Sequence, residues 1–149
     1  MVSSPLKDLA GKQKTPADQS ALAMVELRRE VGNRGPVVTG FTPGGFKIGD
    51  ALFEQGLLLS PETAINWKAP QIDVLDFDDI FGRIKLTPKP EFMLFGSGAN
   101  MQQPSLSFRR AAEVAGVGLE VMDSKAAART WGVLRAEERW IIAALMPFS

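Results

Sequence analysis

The chain has 149 residues, of which 45 % are hydrophobic and 23 % are charged, as in ordinary globular proteins. Lysine plus arginine equals aspartate plus glutamate at 17 each, so no net field favours nucleic acid or an anionic membrane. The sequence contains no Cys, His or Tyr. Disulfides, thiolate or histidine metal sites and serine or cysteine triads that use histidine are therefore excluded.

Residues 1–36 are predicted to form an N-terminal extension that consists of a loose tail and a helix. The tail is rich in Ser, Lys, Gly and Pro, and Thr15 with Pro16 is a good helix start. The helix is either a partner-binding arm or a poorly ordered extension, and the second interpretation is simpler. Because no apolar run reaches the ~20 residues of a membrane span and no secretory signal is evident, we expect a prokaryotic cytoplasmic protein with no membrane insertion.

A single α/β domain is predicted for residues 37–149, and its first part is rich in short strands. The alternation of apolar and polar residues, interrupted by Gly49-Asp50 and Gln55-Gly56, is typical of a β-meander. The predicted strands are Phe46–Ile48, Ala51–Glu54 and Leu57–Ser60, with a short strand at Val37–Thr39 before them and an extended segment at Ala64–Trp67 after them.

The second half alternates between helices and strands. Helices are predicted after the caps Asp76, Ser105 and Asp123 or Ser124, and strands within Glu91–Phe95, Val117–Asp123 and Trp140–Met146. This order implies crossover connections and a mostly parallel sheet, to which the meander adds antiparallel strands. The last strand is apolar at every position, which indicates a central strand that is covered on both faces.

One candidate ligand site follows from the strand ends. Carboxyl ends of neighbouring parallel strands share one edge of a sheet, where ligands of open α/β sheets bind. The candidate ligand-binding residues are Gly96, Ser97, Gly98, Asp123, Ser124 and Thr130. Asp123 is the only base among them, and tight turns and helix caps are the commoner explanation of the same residues. No catalytic residue is assigned.

Two charged clusters do not predict a site. Asp73, Asp76, Asp78 and Asp79 lack the glycine and glutamate spacing of a calcium loop, so we predict no metal and no cofactor. The arginines of the second half are interleaved with glutamates, which is typical of solvated helix faces, and no nucleic-acid partner is expected.

Several motifs together resemble a family of small α/β proteins that includes the mitochondrial complex I assembly factor 3. They are GGF-KI at Gly44–Ile48, Trp67, FGSG at Phe95–Gly98, VMDS at Val121–Ser124, A-x-x-T at Ala127–Thr130, E-x-R at Glu137–Arg139 and AAL-x-P at Ala143–Pro147. The family usually has Thr at position 124 and T-Y-N at positions 130–132, where this chain has Ser124 and Thr130-Trp131-Gly132.

The resemblance implies a three-layer α/β domain with a central mixed sheet and no known catalytic residues. For the mitochondrial relatives it implies help in assembling respiratory complex I through contact with a subunit. The first hypothesis is therefore a non-enzymatic binding or assembly protein with a protein partner, for which Glu137 and Arg139 are candidate contacts. The second is a small-molecule or anion-binding protein, or a weak enzyme, that uses the Gly96–Gly98 loop and Asp123.

Overall fold

A computed structural model describes residues 35–148. Most of the predicted N-terminal extension, including its helix, lies outside the described residues, as does Ser149. The strands are β1 Gly40–Phe41, β2 Phe46–Ile48, β3 Ala51–Phe53, β4 Leu57–Leu59, β5 Ala64–Asn66, β6 Phe92–Gly96, β7 Gly118–Met122 and β8 Ile142–Leu145. The helices are α1 Phe77–Ile84, α2 Leu106–Ala115 and α3 Ser124–Ala136, and a 3-10 turn covers Ile72–Val74.

The main sheet has five strands in the order β5-β4-β8-β6-β7. Strand β8 lies at its centre, parallel to β6 and antiparallel to β4, and β6 is also parallel to β7. The prediction that the apolar run within Trp140–Met146 forms a central strand is thus confirmed. Every side chain of β8 is buried, because the sheet is covered on both faces and apolar residues can fill both.

Two apolar clusters occupy the two faces of this sheet. One face packs against α1 and α2 through Phe77, Ile80 and Phe108, all at most 1 % exposed. The other face packs against α3 and the small sheet β1-β2-β3 through Trp131 and Phe46, both fully buried. The domain is therefore a three-layer α/β structure with a mixed central sheet, as predicted.

The antiparallel meander begins one strand earlier than predicted. Strands β1, β2 and β3 form it, whereas β4 leaves it and pairs with β8 and β5. The reason is burial: Leu57, Leu58 and Leu59 are all fully buried, which requires an interior strand, whereas Ala51 and Leu52 are exposed. The predicted strand at Val37–Thr39 was also wrong, since the strand there is Gly40–Phe41.

All three helices begin at the predicted caps. The carboxylates of Asp76 and Asp123 accept from the amides of Asp78 and Ala126, and the Ser105 hydroxyl accepts from the Phe108 amide. Between Asp123 and Ser124, which the sequence left as alternatives, the cap is Asp123. The Ser124 hydroxyl therefore does not cap the helix and can make other hydrogen bonds.

Candidate functional site

The loop after β6 and the start of α3 are joined by two reciprocal hydrogen bonds. The Gly98 amide donates to Ser124 Oγ at 2.8 Å, and the Ser124 amide donates to the Gly98 carbonyl at 2.8 Å. The Ser124 hydroxyl itself donates to the Met146 carbonyl at 2.6 Å. Ser124 is fully buried. Its hydroxyl makes hydrogen bonds to the loop after β6 and to the end of β8, and so holds both against the start of α3.

Gly96 permits this close approach. A Cβ at Gly96 would lie 2.8 Å from Ser124 Cα and 2.9 Å from Ser124 Oγ, which is closer than real Cβ contacts. The backbone of α3 therefore rests directly on the end of β6. Glycine is required at position 96 because a side chain would collide with the backbone of α3, and not because the residue adopts a positive φ.

Ser97 closes the turn that follows β6. Its hydroxyl lies 2.7 Å from the Asn100 carbonyl, to which it donates, and accepts from the Gln102 amide at 2.9 Å. Its backbone amide donates to the Met122 carbonyl at 2.9 Å. The Ser97 side chain is 9 % exposed, and its hydrogen bonds hold the loop after β6 in this turn.

The remaining two candidate residues are the N-cap of α3 and a residue within that helix. The Asp123 carboxylate accepts from the Ala126 amide at 2.9 Å and is partly exposed. Thr130 Oγ1 lies two turns further along the helix and donates to Met122 Sδ at 3.5 Å. The structure therefore brings Gly96, Ser97, Gly98 and Ser124 together, with Asp123 beside them. A ligand-binding role for these residues stays a prediction.

The C-terminal segment that follows β8 covers this cluster, which sequence reasoning missed. The Met146 amide donates to the Gly96 carbonyl at 2.9 Å, and the Phe148 amide donates to the Gly44 carbonyl at 3.0 Å. The Phe148 ring packs edge-on against Phe46, and Lys125 Nζ lies 4.9 Å from the Phe148 ring centroid.

A groove of about 520 Å³ runs between α2 and the strand β7, which forms one edge of the main sheet. Its apolar lining residues are Ala112 of α2 and Val117, Leu119 and Val121 of the segment through β7. The residues that line it are Gln103, Arg109, Ala112, Glu113, Val117, Gly118, Leu119, Glu120 and Val121. Sequence reasoning did not find this groove, because its two walls come together only when α2 folds back onto the sheet.

The two candidate partner contacts lie near the amino ends of the parallel strands. Arg139 pairs with Glu91 at 2.6 Å between Nη2 and Oε1, and its guanidinium lies 5.6 Å from the Phe92 ring centroid. The hydrogen bond from Arg139 lowers the pKa of Glu91 below its ordinary value. Glu137 is exposed at the end of α3. Whether either residue contacts a partner stays a prediction.

Arg135 lies between these residues and the core. It is only 4 % exposed, and its Nη1 donates to the Arg139 carbonyl at 2.5 Å. Desolvation by burial lowers the pKa of this guanidinium, while nearby Glu138 opposes the shift. Its contact with the main chain stabilises the turn between α3 and β8.

Two kinds of feature are absent from residues 35–148. No group of three or more acidic side chains in that range lies close enough to hold a metal ion. In the same range, no helix combines the length and the apolar character that crossing a membrane requires.

The fold and this cluster define a three-layer α/β domain in which the end of the parallel strand β6 is covered by the start of α3 and by the segment that follows β8. The chain belongs to the family described as "Protein of unknown function (DUF498/DUF598)", whose model matches residues 38–146. The family resemblance read from the motifs is confirmed.

Three proteins illustrate this membership. An uncharacterised protein of Rhodobacter capsulatus is 33 % identical over 120 residues, which cover 80 % of this chain and 91 % of the relative. The NADH dehydrogenase [ubiquinone] 1 alpha subcomplex assembly factor 3 of Danio rerio is 24 % identical over 131 residues, which cover 87 % and 75 %. The solution structure of a Mth938-like domain from Bordetella pertussis has a TM-score of 0.64 at 22 % identity and covers 91 % of this chain and 92 % of its own, which shows the shared fold.

Proposed function

We propose that this protein is a non-enzymatic binding protein that assists the assembly of a protein complex, with a subunit of respiratory complex I as its first candidate partner. The observation that carries the proposal is the closed hydrogen-bond network at Ser124, which commits the polar groups at the strand ends to the fold itself. Buried polar groups that are fully paired rigidify a structure and offer no reactive group. The distant similarity to assembly factor 3 of Danio rerio supports the choice of partner.

Exposed apolar side chains support a protein partner. On α2 and in the loop before it, Met101 is 59 %, Leu106 is 52 % and Val114 is 88 % exposed. These three belong to one stretch of sequence, residues 101–114, and exposed apolar side chains that adjoin on a surface are a feature of protein contact sites. The proposed place of action is the cytoplasm of a prokaryote, without a nucleic-acid partner.

Affinity capture tests this function. The tagged full-length chain is expressed in its host, and proteins that it captures are quantified by mass spectrometry against a tag-only strain. Subunits of one complex, NADH dehydrogenase first, are expected to be enriched and to bind the purified chain directly. Capture of no partner in repeated experiments, with normal complex I levels in a deletion strain, contradicts the proposal.

A charge reversal tests the predicted contact. Glu137→Lys is expected to lower recovery of the partner, whereas Glu62→Lys, which changes an exposed glutamate elsewhere on the domain, is the matched control. Unchanged recovery with Glu137→Lys removes this residue from the interface but leaves the function as proposed.

A further inference from the structure

Within residues 35–148, the outer edge of β7 presents backbone groups that no other strand pairs with. The Gly118 amide donates to the Glu91 carbonyl and the Met122 carbonyl accepts from the Ser97 amide, so residues 118, 120 and 122 direct their amides and carbonyls toward β6. Successive residues of a strand point to opposite sides. The amides and carbonyls of Leu119 and Val121 therefore point outward, where no other strand of residues 35–148 pairs with them.

The groove lies directly beside these groups. The side chains of Val117, Leu119 and Val121 belong to the same face of the sheet as α2 and contact the cluster beneath that helix. A strand added to this edge would place alternate side chains in the groove. Free strand edges flanked by a groove are the usual acceptors of an extended peptide, since the main chain supplies hydrogen bonds and the groove supplies side-chain selection.

The charges of α2 define which charged groups of the added strand suit each end of β7. Helix α2 joins two parallel strands and so runs opposite to β7, which places Arg109 near the Val121 end and Glu113 near the Val117 end. Neither charged group makes an ion pair within residues 35–148. An acidic residue of the partner therefore suits the first end and a basic residue the second.

A second copy of the chain fits this edge poorly. The symmetric antiparallel register that uses both Leu119 and Val121 places Glu120 opposite its own copy. Like charges directly opposite each other destabilise a strand pair. A partner of different sequence avoids this repulsion.

We propose that β7 binds an extended segment of a partner protein as an additional antiparallel strand. The segment carries two apolar residues at alternate positions, an acidic residue two positions before them and a basic residue two positions after them. This inference rests on the proposed function, because it describes where and how the partner binds.

The probe is the peptide acetyl-Glu-Thr-Val-Thr-Val-Thr-Lys-amide, titrated into the ¹⁵N-labelled full-length chain and followed by NMR. We expect saturable shifts at the amides of Leu119, Val121 and Arg109. The same peptide methylated at both valine nitrogens should bind at least about tenfold more weakly, because it lacks the donors that face β7. Equal binding of the methylated peptide, or no saturable shifts at the edge, overturns the proposal.

Variants of the protein test separately the backbone pairing at β7 and the charge preference set by α2. Val121→Pro removes one outward amide and none that faces β6, and is expected to weaken the peptide about tenfold. Combining Arg109→Glu with Glu113→Arg should reverse the preference, so that the peptide with Glu and Lys exchanged binds better. Arg110→Glu, outside the groove, is the control and should change nothing. Undiminished binding by Val121→Pro, with no reversal in the charge-swapped chain, contradicts the inference.

The results differ if the edge of β7 is occupied by something other than a partner protein. If the Leu119 and Val121 amides are already protected from hydrogen exchange in the free full-length chain, the edge is occupied by residues 1–34 or by a second copy, and the proposal fails. In the capture experiment, equal partner recovery by the wild-type chain and Val121→Pro overturns this inference while the proposed function stands. Recovery of no partner by either contradicts the function, and the peptide titration still decides the binding mode.

Discussion

The hydroxyl of Ser124 donates a 2.6 Å hydrogen bond to the carbonyl of Met146, which joins the first turn of α3 to the residue that follows the central strand. Two parts of the chain that are 22 residues apart thereby share one buried polar contact. Because the same oxygen also accepts from the Gly98 amide, its removal leaves partners on both sides without a bond.

Ser124→Ala is expected to lower the free energy of unfolding by about 1–3 kcal/mol, since a buried donor and a buried acceptor each lose their partner. Urea unfolding followed by tryptophan fluorescence measures the change. Ser107→Ala, on the exposed side of α2, is the control and should change stability by less than about 0.5 kcal/mol. An equally small effect at Ser124 would show that water replaces the lost bonds.

Gly96→Ala and Gly132→Ala should change stability in opposite directions. At Gly96 the new methyl group meets Ser124 and the Leu145 side chain at 3.0 Å or less, so a loss of about 1–3 kcal/mol is expected. At Gly132, within α3, no atom beyond the neighbouring residues and the local helix backbone lies within 4 Å of the added carbon, and alanine should stabilise the helix by about 0.5–1 kcal/mol. The melting temperatures of the two variants, each compared with that of the wild type, test both expectations. The same sign for both variants would contradict the close contact of Gly96 with Ser124 or the open space beside Gly132.

The Glu91–Arg139 pair should make stability depend on pH. The pKa of Glu91 is lowered from 4.5 by the Arg139 hydrogen bond, so the folded chain binds this proton more weakly than the unfolded chain. Its contribution is therefore present above pH 4.5 and is lost as the pH falls through the lower folded value. Urea midpoints of the wild type and Glu91→Gln should differ at about pH 7 and converge toward about pH 3. A constant difference across this range would exclude the ion pair as the cause.

Phosphate and nucleotides are expected to leave the melting temperature unchanged within about 1 °C, because Gly98 and Ser124 already donate within the protein. A ligand present at 100 times its Kd would stabilise the native state by about 2.7 kcal/mol, which thermal shift detects easily. A reproducible shift that Ser97→Ala or Asp123→Asn abolishes would instead support the second hypothesis, a ligand site at the strand ends.

Most of the local structure was determined by the sequence itself. The helix caps Asp76, Ser105 and Asp123 and the all-apolar run of β8 predicted their elements correctly, because capping and burial on two faces impose residue types within a few positions. The same patterns correctly predicted the parallel half of the sheet and the closeness of the Gly96–Gly98 loop to Ser124.

Only the tertiary structure decided which strands pair and which polar groups stay free. The three consecutive leucines of β4 indicate an interior strand, as the apolar run of β8 does, but they do not reveal that β4 pairs with β8 rather than with the meander. Likewise, no local pattern reveals that Met146 accepts a hydrogen bond from the Ser124 hydroxyl or that α2 and β7 enclose a groove. These relationships join residues distant in the chain, and their energies depend on packing that no short segment contains.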